Sequence, residues 1–150
     1  FRVSYNDKTN TAFLSNSSTV SQAVHEAVHA IEFQHPRILE KTAEFLKRRA
    51  AGADLVEYNG ELGYADKWVE RGGSQYTGRD YSVFDFISGK NASSPVLRDA
   101  NGKRISNYEH KTIATEILTM GIERIIRDPV DFADRDPDYF NFIMGIFRND

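Results

Sequence analysis

Cysteine is absent from the 150 residues. That excludes a disulfide framework, a thiol nucleophile and any cysteine-based zinc finger or ribbon. It suits a reducing cytoplasm without requiring one. No run approaches the ~20 apolar residues of a membrane-spanning helix, and no signal-peptide pattern is present. An excess of one charge is missing too: 19 Lys and Arg stand against 22 Asp and Glu, a net charge of -3. This balance offers no basic footprint, so neither nucleic acid nor an anionic membrane is expected as a partner. No internal repeat is visible. What remains is ordinary for a globular chain: 40% hydrophobic residues, 27% charged, with 10 Phe and 7 Tyr to fill a core. The expectation is one domain, long enough to fold without staples. The chain opens on Phe1 and enters strand-like sequence at once, so it is expected to be part of a longer protein.

Phe1 to Tyr5 and Thr11 to Leu14 read as short strands, and the polar run from Asn6 to Asn10 between them predicts a β-hairpin. Thr19 followed by Gln22 has capping-box spacing, so a helix is expected to start there. Val20, Ala23, Val24, Ala27, Val28 and Ile31 give it an apolar body, as for a buried central helix. Pro36 ends it near Gln34 and opens a second helix that runs to a Gly52 stop, with Lys47, Arg48 and Arg49 in its last turn. Periodicity is poor from Ala53 to Asn107, and Ser88 to Lys103 reads as a long loop. A strong helix is expected over Glu109 to Arg127. Asp128-Pro129 and Asp136-Pro137 each pair a capping Asp with Pro at the first helical position, and the last helix carries Tyr139, Phe140, Ile143 and Phe147.

The chemistry lies in His25-Glu26-Ala27-Val28-His29, a HExxH motif inside the first helix. Residues four apart share a helix face, so both imidazoles can reach one ion. Two neutral ring nitrogens suit zinc, Zn2+. Glu26 stands beside the first His, where it can take a proton from a water made acidic by the metal and return it to a leaving amine. HExxH also arises by chance in about one chain in a few hundred of this length. The agreement of motif, cap and apolar helix weighs against coincidence.

Zinc needs a third protein ligand and keeps a fourth position for water. Three candidates compete. His35 completes the metzincin spacing, but Glu32 stands where that pattern needs Gly for a sharp turn, so the helix carries His35 away. Glu32 shares a face with His25 and His29, yet three ligands on one straight helix converge poorly, which suits Glu32 better as a partner orienting an imidazole. Glu116 is a carboxylate amid Ile113, Ile117 and Met120, in the middle of the later helix. Its burial there is costly unless a cation meets it, and Glu116 is the preferred ligand. Its competing reading is an exposed Glu on the helix rim. Tyr108 and His110 are candidate donors to an oxyanion, although a lone His near a helix start is more often a surface residue. Trp68 and Tyr residues 58, 64, 76 and 81 fit core or loop packing better than a substrate platform.

With these residues in place, the chain resembles the zincin-like domain at the C-terminal end of phage head-morphogenesis (minor capsid) proteins and of related polymorphic-toxin or prophage proteins. The resembling pieces are His25 to Pro36, Phe45 to Arg49, Ala114 to Gly121 and Asp136 to Phe140, which span most of the chain from Val20 onward. The resemblance implies a zincin fold, and the fold expected is α+β, with an N-terminal hairpin packed on the HExxH helix and Glu116 supplied by a second long helix. It carries the metal role onto His25, His29 and Glu116 and the general-base role onto Glu26. The chain departs from the pattern in a longer loop from Ser88 to Asn107, and in Ala27-Val28 where Gly often precedes the second His.

The expected function is hydrolysis of a protein or peptide substrate, set in phage maturation, a toxin or another effector. The expected location is correspondingly a bacterial cytoplasm, a phage particle or a secreted effector. The competing reading is a non-catalytic phage or prophage structural domain with a structural zinc; a third is an all-helical binding domain without metal.

Overall fold

The computed structural model describes residues 4–6, 8–51, 55–58, 61–64, 75–82 and 112–149. These form a mixed helix-and-strand protein, mostly helical, with three two-stranded antiparallel pairs. The α+β expectation holds at that level. No helix among the described residues is long and apolar enough to cross a membrane. Two compact units divide the chain: Phe1–Thr42 with Ile117–Asp150, and Ala43–Glu116.

In the first unit, β1 (Ser4–Asn6) and β2 (Thr11–Phe13) pair antiparallel. Their turn is built as the polar run predicts: the Asn6 carboxamide accepts from the Lys8 and Thr9 amides. Asn10 closes it in the left-handed region at φ 50°, where a short polar side chain is tolerated. The hairpin packs on α1 (Val20–Gln34), with the Tyr5 and Phe33 rings 5.7 Å apart. Thr19 and Gln22 form the expected capping box, and His35 ends the helix.

The body of α1 differs from expectation. Val20 is 79% exposed, Ile31 45%, and Ala27 is exposed as well. The buried residues are His25, Glu26, Val28, His29 and Glu32. Positions 25, 29 and 32 recur at helical spacing, so the face turned inward is the ionisable one. Hydropathy alone points to the opposite face.

A second correction concerns the helix expected over Glu109 to Arg127. Residues 83–111 lie outside the described part, and Thr112–Thr115 is a strand, β6. Thr112, Ile113 and Thr115 are β-branched, which favours extended backbone once a partner strand is present. The helix, α3 (Ile117–Arg127), begins after Glu116, which therefore sits at a strand-to-helix junction rather than in mid-helix. Helix α1 packs chiefly on α3. Two short helices follow, α4 (Pro129–Arg135) and α5 (Pro137–Arg148), capped by Asp128 and Asp136 as the Asp-Pro pairs predict. Ile117, Leu118, Phe132, Tyr139 and Ile143 fill this core. The Tyr139 hydroxyl donates to the Ile117 carbonyl, pinning the first turn of α3.

Gly121 faces the same core. A Cβ there would lie 2.5 Å from two carbons of Ile143, which is itself fully buried. Gly121→Ala should therefore lose about 1–3 kcal/mol by overpacking, despite alanine's better helix propensity. Urea denaturation checks this; a stability gain would contradict it.

In the second unit, the C-terminal half of α2 (Pro36–Arg49) buries Phe45 and Leu46. β3 (Leu55–Tyr58) and β4 (Glu61–Tyr64) form a hairpin that the sequence reading missed. A bridge between Gly63 and Arg79 lays β4 beside the start of β5 (Asp80–Ser82), and β5 pairs with β6 through a bulge. Gly63 permits this approach, since a Cβ would stand 3.0 Å from the Gly78 carbonyl.

Candidate metal centre

The α1 helix brings His25 and His29 together by its own pitch. Their rings are edge to face with centroids 4.9 Å apart. Glu116 directly precedes Ile117, the first residue of α3. Ligand atoms of His25, His29 and Glu116 all lie within 4.8 Å of one another. This is the group of potential metal ligands found among the described residues. Glu116 is fully buried, and the two imidazoles are 8% and 9% exposed.

These residues fit zinc. Two imidazole nitrogens and one carboxylate oxygen are a common catalytic donor set, with room for a fourth ligand. Ligand atoms around tetrahedral zinc stand about 3.4 Å apart, and those of the three groups come within 4.8 Å of one another. Burial carries the same message. Ionisable groups removed from water cost several kcal/mol each unless something compensates them. Helix α1 exposes Val20 and Ile31 while burying two His and two Glu, an arrangement that marks a candidate functional site.

His25 has a further partner. Its Nδ1 lies 2.8 Å from Glu123 Oε1 on α3. An ionised carboxylate can only accept, so with Glu123 ionised Nδ1 is the donor, the arrangement in which a neutral ring carries its lone pair on Nε2. The sequence reading assigned the orienting role to Glu32 and overlooked Glu123. A signal was present: on the helix expected over Glu109 to Arg127, Glu123 falls seven residues, two turns, after Glu116. Glu32 accepts from the Thr42 hydroxyl of α2 at 2.6 Å, both fully buried.

No family model, curated protein or solved structure matches the chain. The case for a metal centre rests on the residues themselves.

Of the remaining candidates, Glu26 is 7% exposed on α1, next to His25. His35 is exposed at the end of that helix and is not in the group; its backbone N–H makes the cap. Tyr108, His110 and Trp68 lie outside the described residues. Tyr81 was read as packing, but its hydroxyl donates to Glu116 Oε1 at 2.8 Å. Tyr64 has its phenol pushed up to about 12, first by burial and then by the Asp80 charge.

Proposed function

We propose that the chain is a zincin-type zinc peptidase domain, with His25, His29 and Glu116 as metal ligands and Glu26 as general base. The observation that carries this reading is the buried stripe of HExxH side chains beside a buried third carboxylate. Bound zinc would polarise a substrate carbonyl and lower the pKa of a coordinated water to about 7. The chain's own residues supply the rest. Two imidazoles and one carboxylate bring one negative charge to a dication, leaving net positive charge to act on a substrate. Glu26, shielded from bulk water, is suited to hold a proton between its removal from the attacking water and its delivery to the leaving amine. Glu123 keeps His25 in the tautomer that presents a lone pair.

The direct test is incubation of zinc-loaded protein with a mixed peptide library, read by mass spectrometry. Cleavage that stops with a chelator and returns with zinc supports the reading. An intact library, with zinc bound and folding dependent on it, favours a structural zinc instead. Removing the His25 partner gives a graded check. Glu123→Ala should weaken zinc binding about 10- to 100-fold, the usual cost of losing such a hydrogen bond. Competition titration measures this; unchanged affinity would remove Glu123 from the site.

A further inference from the structure

We propose that Tyr81 is the positioning residue for Glu116, its hydroxyl holding one carboxylate oxygen so that the other is presented to the metal. This rests on the metal reading above and adds a residue outside the HExxH helix.

β5 and β6 pair antiparallel, with Tyr81 opposite Ala114. Side chains alternate along a strand, so Ala114 and Glu116 fall on one face if the alternation runs one residue past β6. Tyr81 is then a diagonal neighbour of Glu116, within reach of a long side chain, and Ala114 is small enough to let it cross. The observed bond agrees: the Tyr81 hydroxyl donates to Glu116 Oε1 at 2.8 Å.

The chemistry of a buried carboxylate makes this bond consequential. Glu116 is fully buried, and an ionised carboxylate out of water needs donors. It accepts at about four lone-pair sites, so a phenol on one oxygen is compatible with an ion on the other. A hydroxyl fixed on one oxygen also selects among rotamers and disfavours chelation by both oxygens. Tyr81 is suited to stay a donor. Burial, then the Glu116 charge, then Tyr76, raise its phenol well above the ordinary tyrosine range. The ring is anchored by its place on β5, which the Asp80–Thr115 and Tyr81–Ala114 pairings tie to β6.

Tyr81→Phe removes the hydroxyl and keeps the ring. Zinc affinity, measured by chelator competition, is expected to fall about 10- to 100-fold. The visible spectrum of the cobalt-substituted protein should change as well, because a released carboxylate is free to bind through both oxygens and raise the coordination number. Tyr64→Phe deletes another half-buried phenol of the same unit and should leave zinc affinity unchanged. Equal affinity and an unaltered cobalt spectrum in folded Tyr81→Phe overturn the proposal while the metal reading stands. Absence of zinc binding in the unmodified protein overturns both. Should Tyr81→Phe not fold, a structure of the zinc-loaded protein decides. A Tyr81 hydroxyl within about 3.5 Å of a one-oxygen Glu116 ligand is expected. A hydroxyl farther away, or chelation through both oxygens, overturns it.

Discussion

Replacing His29 with alanine should weaken zinc binding roughly 100- to 10,000-fold. A protein zinc site is worth about 10–16 kcal/mol in total, so an even share among three ligands is roughly 3–5 kcal/mol each. The apo protein should keep its fold, because alanine favours the helix and the change removes a nearly buried polar ring. Chelator competition measures the affinity, and circular dichroism shows whether α1 survives. His35→Ala is the matched control. That side chain is exposed, and its cap depends on the backbone N–H, so zinc affinity should not move. A loss of binding in His35→Ala equal to that in His29→Ala would transfer the ligand role to His35.

Glu26→Gln should lower peptide cleavage by about 100- to 10,000-fold, the usual contribution of a general base, while leaving zinc content intact. The amide has nearly the shape of the carboxylate but cannot accept the proton. Its position beside His25 on α1 is unchanged, and Gln keeps the size and the hydrogen-bonding capacity of the 7%-exposed Glu26, so the fold should be retained. The informative pattern is the separation of the two readouts. Lost cleavage with retained zinc identifies a base, whereas loss of zinc as well makes Glu26 part of the metal's support. Full cleavage by Glu26→Gln would sink the assignment of the base.

The local elements were legible because their signals are local. Thr19 and Gln22 specify a cap by spacing, and each Asp-Pro pair fixes a helix start by removing an amide and supplying an acceptor. The HExxH pair was legible for the same reason, since helix pitch alone brings the two rings together. Burial was not. Val20 and Ile31 suggest a conventional amphipathic helix, but α1 turns its ionisable face to α3, and only the packing of α3 reveals this. The burial of Glu116 was anticipated correctly, its place in mid-helix was not: the helix starts at Ile117 rather than Glu109, because Thr112–Thr115 gains a partner in β5. Tyr81 precedes Glu116 by 35 residues and meets it only through that pairing, so no spacing rule could reveal it. Glu123 could have been found by counting two turns from Glu116 on the helix expected over Glu109 to Arg127.

X-ray absorption at the zinc edge, on protein purified without added metal, tests the central claim most directly. About one zinc per chain is predicted, bound by two imidazoles and a carboxylate, with loss of one imidazole in His29→Ala. Protein free of zinc, or a zinc whose ligands are unchanged by His29→Ala, would contradict the account.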